Sequence, residues 1–178
     1  MRILLWVVVF LGVNSIAAQA FSNSFMVNGG LFGDGFGGEI TFNTNLNEES
    51  FTQIGLDVSV SNYISKKTSI PYSSYTLSYS YFTTLYSSAR RYKVLSIGGG
   101  LLAGYELVNG GQNELSNIVF INGESKLIYG AVVGAEIDVI ISNRLSVVAK
   151  TSQFYHVNSD FGKFTNFSGL GLRYYFFR

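Results

Sequence analysis

No cysteine occurs in the 178-residue sequence, which excludes a disulfide framework, a thiolate metal site and lipid attachment through an export-linked cysteine. Proline occurs once and methionine twice, whereas Gly, Phe and Tyr number 20, 15 and 12. That balance suits strands and close inter-strand contacts rather than helices. The one histidine, His156, cannot build a multi-histidine centre, and the acids form no recognisable cation loop. No cofactor is therefore expected. Charge of one sign is lacking as well: 12 Lys and Arg against 11 Asp and Glu leave +1. No basic face stands ready to neutralise a phosphate backbone, so direct nucleic-acid binding is disfavoured. Downstream of residue 20 there is also no apolar run of the roughly 18 to 20 residues that a spanning helix needs.

One apolar run does exist, at the start. Arg2 supplies a positive beginning, Ile3 to Val13 are almost wholly apolar, and Ala18-Gln19-Ala20 is a small-x-small cleavage pattern. Residues 1–20 read as a secretory signal peptide, leaving residues 21–178 as a single β-barrel domain. The other reading, an uncleaved anchor, is disfavoured because the run is too short to cross a bilayer.

Beyond it, period-two alternation dominates. In Tyr75-Thr76-Leu77-Ser78-Tyr79-Ser80-Tyr81 large apolar side chains alternate with hydroxyls, as in a strand with one oily and one wet face. Ile54, Leu56, Val58 and Val60 oppose Gln53, Gly55, Asp57 and Ser59. Eight such segments are predicted, at about 24–33, 36–44, 51–63, 73–86, 92–108, 125–142, 145–157 and 163–177. Asp34-Gly35 suits a two-residue hairpin, Ser142-Asn143-Arg144 a tight turn and Ser159 to Gly162 a slightly longer one. An even strand count places both termini at one end with the Ala89-Arg90-Arg91 and Ser142 turns, on the periplasmic side. The long Asn109–Glu124 connection then lies outside.

The charges separate a membrane barrel from a soluble one. Glu39, Asp57, Glu106, Glu136 and Asp138 share a face with the small and hydroxylated residues of their strands, as do Lys150 and Arg173. A lipocalin-like barrel would put the apolar face inside. Here the oily faces carry the aromatics, which is the phasing a bilayer demands. The expected fold is an eight-stranded antiparallel up-and-down barrel of outer-membrane type, its interior charged network filling it rather than leaving a channel. Glu136 and Asp138 are expected to pair with Lys150 and Arg173 across adjacent strands. Mid-strand glycines, such as Gly98-Gly99-Gly100, allow curvature and make room for long inward side chains. A phosphate-cradling loop is not indicated, because no helical pattern follows Gly100.

Catalytic constellations are thin. His156 with Ser152 or Ser159 and Asp160 is the one combination a hydrolase could use, and neither a nucleophile elbow nor a base spacing supports it. The C-terminal SGLGLRYYFFR alternates to its end, with Gly171 three and five residues ahead of Tyr174 and Phe176. It resembles the terminal strand signal read by the outer-membrane assembly machinery, although Arg178 replaces the usual final Phe.

The runs FTTLYSSARRYKVLSIGGGLLAGYELVNGG, LIYGAVVGAEIDVIISNRLSVVAK and FGKFTNFSGLGLRYYF resemble the conjugal transfer protein TraO family of conjugative transposons from Bacteroidetes. The likeness spans nearly all of residues 21–178 and is least distinctive in the first fifty. It implies an exported envelope component of a type IV secretion apparatus that moves DNA between cells, resident in the outer membrane, with other transfer proteins as partners and no enzymatic activity. No catalytic or ligand residues carry over. The alternatives from different classes are a generic outer-membrane barrel, porin-like, adhesive or stabilising the envelope, and a barrel hydrolase.

Overall fold

The structure is a computed structural model that describes residues 23–65, 68–88, 91–108, 114–116, 119–120, 125–160 and 162–176. The expected signal peptide, residues 1–20, lies outside the described residues, as do most of the Asn109–Glu124 connection and the last two positions. Among the described residues ten strands follow one another: β1 (Ser24–Phe32), β2 (Gly35–Asn45), β3 (Ser50–Ser65), β4 (Thr68–Ser87), β5 (Lys93–Val108), β6 (Glu114–Ser116), β7 (Val119–Phe120), β8 (Lys126–Ile140), β9 (Leu145–His156) and β10 (Phe164–Tyr175). Eight of them close a barrel in the order β1-β10-β9-β8-β5-β4-β3-β2, while β6 and β7 form a separate ladder within the connection from β5 to β8. Every pairing is antiparallel, and β1 closes the ring by pairing with both β2 and β10. Closure satisfies the backbone groups that an open edge would leave bare in lipid.

Two local expectations are corrected. The first hairpin turns on Gly33-Asp34, one residue earlier than Asp34-Gly35, because Gly35 already pairs with Phe32. Gly33 takes φ 51°, a left-handed conformation that glycine adopts without a Cβ clash. Residues 64–65 and 68–72, which fall between the expected segments 51–63 and 73–86, continue the β3–β4 ladder to Ser65↔Thr68. This ribbon outruns its neighbours: β2 pairs with β3 no further than Val60, and β5 with β4 no further than Tyr72. Both termini of the barrel lie at the end that carries the β2–β3, β4–β5 and β8–β9 turns, and the long β5–β8 connection lies at the other.

The alternation sorts side chains cleanly. Val27, Ile40, Leu56, Leu77, Leu101 and Leu170 point outward and are exposed. Outward aromatics gather toward the two ends, with Phe25, Phe42, Tyr174 and Phe176 near the termini and Tyr75, Tyr105, Tyr129 and Phe164 at the opposite rim. Aromatic girdles flanking an aliphatic band are the pattern of a barrel that meets two membrane interfaces. Among residues whose side chains are described, every charged one sits inside the barrel or at a strand end or turn. None interrupts the aliphatic band.

The inside is not uniformly polar. Phe32, Leu102, Val132, Phe154 and Phe167 form a buried apolar cluster, with the Phe32 and Phe167 rings 4.7 Å apart. These residues share strand parity with the inward polar groups, so β1 and β9 keep strict alternation although their inward faces mix apolar and polar side chains.

Candidate functional site

The lumen holds the chemistry. Glu39, Asp57, Glu106, Glu136, Asp138, Lys150 and Arg173 are all buried inside, so five carboxylates face two cations. Parity on each strand sends them inward, and register sets their depth.

Lys150 of β9 occupies the middle. Its Nζ donates to Glu39 Oε1 on β2 and, at 2.6 Å, to Gln53 Oε1 on β3. Glu39 Oε2 accepts from Asn28 Nδ2 at 2.9 Å, and Gln53 Nε2 donates to Asn43 Oδ1 at 2.9 Å. The Phe82 ring lies 5.6 Å from the Lys150 ammonium. Space for this network comes from missing side chains: a Cβ on Gly55 would stand 3.4 Å from Glu39 Oε1 and 2.6 Å from Ser78 Oγ. Around Glu39, Gln53, Lys150, Phe82 and Phe154 the residual void is about 10 Å³, at the limit of what holds a single water. Side chains fill the waist.

Nearer the termini, Arg173 of β10 forms a second centre. Its Nη2 donates to Glu136 Oε1 at 2.6 Å and its Nη1 to Asp138 Oδ2 at 2.7 Å. Tyr175 Oη donates to the same Asp138 oxygen at 2.7 Å. The guanidinium also lies 5.7 Å from the Phe51 ring, which stacks on Phe82. This arrangement corrects the expected pairing. Lys150 and Glu136 are cross-strand neighbours in register, yet Lys150 reaches over the lumen to Glu39. Arg173 spans β9 to reach its acids on β8 rather than pairing with an adjacent strand. In a narrow closed barrel, opposite walls are within reach of a long side chain, and flat-sheet adjacency no longer decides partners.

Asp57, in register beside Glu39, and Glu106 form no ion pair with either luminal cation. Asp57 Oδ2 accepts from Thr76 Oγ1 at 3.3 Å, and Glu106 Oε2 accepts from Ser159 Oγ at 2.7 Å. At the far rim, near Glu106, His156 Nδ1 donates to the Gly162 carbonyl at 2.7 Å, which makes Nδ1 the protonated nitrogen. Ser159 Oγ is engaged by Glu106 and by the Gly162 N–H, and Asp160 pairs with Lys126, so these groups form no Ser–His–acid relay. Ser152 lines the waist. Among the described residues no group of three or more His, Cys, Asp or Glu side chains is placed to hold a metal.

The C-terminal residues divide by face. Gly171 faces inward, where a Cβ would meet Asn28 Oδ1 at 1.7 Å, while Tyr174 and Phe176 face outward with their rings 5.8 Å apart and edge-on. Sequence reasoning did not single out Asn28, Asn43, Gln53 and Tyr175. Their inward parity with Glu39, Asp57 and Arg173 was the available signal.

Three solved outer-membrane barrels show the same fold. A major outer membrane protein from Thermus thermophilus superposes with a TM-score of 0.68 at 14% identity, covering 87% of this chain and 99% of that one. Neisserial surface protein A gives 0.59 at 11% identity, covering 88% and 97%. The N-terminal β-barrel domain of Pseudomonas aeruginosa OprF gives 0.54 at 14% identity, covering 87% and 97%. No curated protein matches the chain in sequence. Residues 15–176 match the family described as conjugative transposon protein TraO.

Proposed function

Because the chain belongs to the TraO family of conjugative transposon proteins, we propose that it is a non-enzymatic outer-membrane subunit of a conjugation apparatus of the type IV secretion class. The observation that carries the membrane part is the placement of charge. Every described charged side chain is luminal or at a strand end or turn, and none interrupts the aliphatic band. A lysine or arginine on that band near the bilayer midplane would cost about 2–4 kcal/mol. Export would use residues 1–20 as a cleaved signal peptide, and Gly171, Tyr174 and Phe176 would serve as the terminal signal for the outer-membrane assembly machinery.

The subunit is not the route taken by DNA. A waist filled by Lys150, Glu39 and Phe82 leaves no bore, and the two luminal cations already answer to carboxylates. The same filling disfavours a porin-like role, and the separate engagement of Ser159 and His156 disfavours a hydrolase. The barrel therefore acts as a scaffold that binds other transfer proteins at its aqueous faces. A donor strain lacking the gene should lose conjugation and regain it on complementation. Transfer at normal frequency without the gene would remove the assignment.

A further inference from the structure

Inside the barrel, the chamber of about 230 Å³ beside Arg173 balances Glu48 and Asp138 with Arg91 and Arg173, and so selects no ligand by charge. The outer wall is less even. On the β9–β10 hairpin the outward rows, taken from the far rim, are Tyr155 with Phe164, Gln153 with Asn166, Thr151 with Ser168, then Ala149 with Leu170. On the other barrel strands outward Ser, Thr, Asn and Gln stand only toward the two rims. Among the described residues these two polar rows therefore interrupt the aliphatic band at one place. We propose that the wall formed by β9, β10, β1 and β2 is an interface within the membrane, and that its occupant is a second copy of this chain packed about a twofold axis. The interface rests on the membrane placement argued above and is independent of the transfer role.

Depth gives the polar rows their weight. Successive outward rows are about 6.8 Å apart along a strand, and with strands tilted by about 40° the two polar rows lie about 5 Å and about 10 Å below the outer aromatic row. Lipid headgroups do not reach there, and acyl chains offer neither donors nor acceptors. Thr151 Oγ1 donates to the Phe167 carbonyl at 3.1 Å and Gln153 Nε2 to the Thr165 carbonyl at 3.1 Å, which leaves Gln153 Oε1 to accept. Among the described residues the exposed Asn166 side-chain amide has no hydrogen-bond partner. Amides that face lipid are costly, and a second transmembrane surface can satisfy them.

Chemistry and shape both select an identical partner. An amide donates and accepts at once, and the four polar side chains carry no charge, so they favour neither an acidic nor a basic surface. A twofold axis lays the same patch on itself and lets each amide answer its counterpart. Beside the polar rows, Gly29 and Gly38 are paired in the outward row that continues from Leu170, and nothing lies within 4 Å of a Cβ built on Gly29. The neighbouring row carries Leu31 and Phe36, 66% and 67% exposed, and Leu170 is 65% exposed. Knob and notch thus occur on one wall, and twofold packing seats the knobs of each copy against the notch of the other.

The absence of native cysteine makes the test direct. Full-length exported protein carrying Ser168→Cys, reconstituted in phospholipid vesicles at low protein-to-lipid ratio and oxidised with copper phenanthroline, should give a disulfide-linked dimer. Leu77→Cys, on β4 at the opposite side of the ring, should give at least tenfold less. Dyes placed at Asn143→Cys, in the exposed β8–β9 turn, should report energy transfer between copies that saturates with protein-to-lipid ratio. The double variant Gln153→Leu with Asn166→Leu, and separately Gly29→Phe, should weaken this association at least tenfold. These changes point outward and make the wall more apolar, and heat-modifiable gel migration reports that each barrel is folded. Equal cross-linking at the two cysteine positions, or undiminished association in the folded double variant, would overturn the interface. Ser168→Cys that links to a different protein in envelopes of a transfer-competent donor, with no energy transfer between copies in vesicles, would overturn the second copy in favour of another membrane protein. Protein that folds but does not enter vesicles would sink the membrane placement itself. Normal conjugation by a deletion strain, with the dimer intact, would sink the transfer role and leave the interface standing.

Discussion

Replacing Lys150 with Met keeps most of the buried stem and removes the charge. Glu39, 3% exposed, would keep a single donor, Asn28 Nδ2 at 2.9 Å, and lose its cation. Gln53 Oε1 would lose the Lys150 donor that now stands at 2.6 Å. Removing one partner of a buried ion pair costs about 3–5 kcal/mol, because the remaining charge stays desolvated. At about 1.4 kcal/mol per factor of ten, the folding equilibrium should fall by a hundredfold or more. The double variant Lys150→Met with Glu39→Gln removes both charges, and the new amide can donate to Gln53 Oε1. Neutral replacements of similar volume are often no worse than the pair they replace, so the double variant should recover to within about 1 kcal/mol of the parent. Unfolding can be followed in phospholipid vesicles by urea titration, reading far-ultraviolet circular dichroism and the gel shift of unboiled protein. The single Trp, Trp6, precedes β1 and gives no barrel signal. A single variant within about 1 kcal/mol of the parent, or a double variant no better than the single, would refute the view that this pair neutralises the waist.

Leu77→Arg places a charge in the outward aliphatic band and should lower stability by about 2–4 kcal/mol in vesicles, whereas Val157→Arg, just past the end of β9, should cost at most about 1 kcal/mol; equal effects would argue against a bilayer around this band. Phe167→Ala empties a fully buried site against Phe32 and should cost about 3–5 kcal/mol by the same urea titration. Gly29→Ala has nothing within 4 Å of the new Cβ and should be near neutral, while Gly130→Ala would bring a Cβ to 1.7 Å of the Tyr155 carbonyl oxygen and should cost at least about 1–3 kcal/mol. A reversal of that order, seen as urea midpoints, would mean the β8–β9 register is wrong.

The eight barrel strands and the polarity of their two faces were legible in the sequence because period-two alternation is a local property. Tyr75 to Tyr81 states which way each side chain points before any partner strand is known. The inward parity of Glu39, Asp57, Glu106, Glu136, Asp138, Lys150 and Arg173 was readable for the same reason. The β1–β2 turn was misplaced by one residue because Gly33 and Gly35 are both glycine, and only pairing of Gly35 with Phe32 separates them. The ribbon formed by residues 64–65 and 68–72 escaped notice because Pro71 and the Lys66-Lys67 pair in the sequence break the oily alternation that marked the other strands.

Who pairs with whom was settled by tertiary structure alone. Lys150 and Glu39 are 111 residues apart and lie on strands separated by two others, so neither spacing nor strand adjacency points to their bond. Parity fixes the side of the wall, but partners across a lumen depend on register, tilt and barrel width, which are collective quantities set only when the ring closes. The same holds for the aromatic cluster at Phe32, Phe154 and Phe167, whose residues lie on three different strands. They form one plug because closure brings three walls together, and the chamber beside Arg173 is the space left between that ring of walls and its filling.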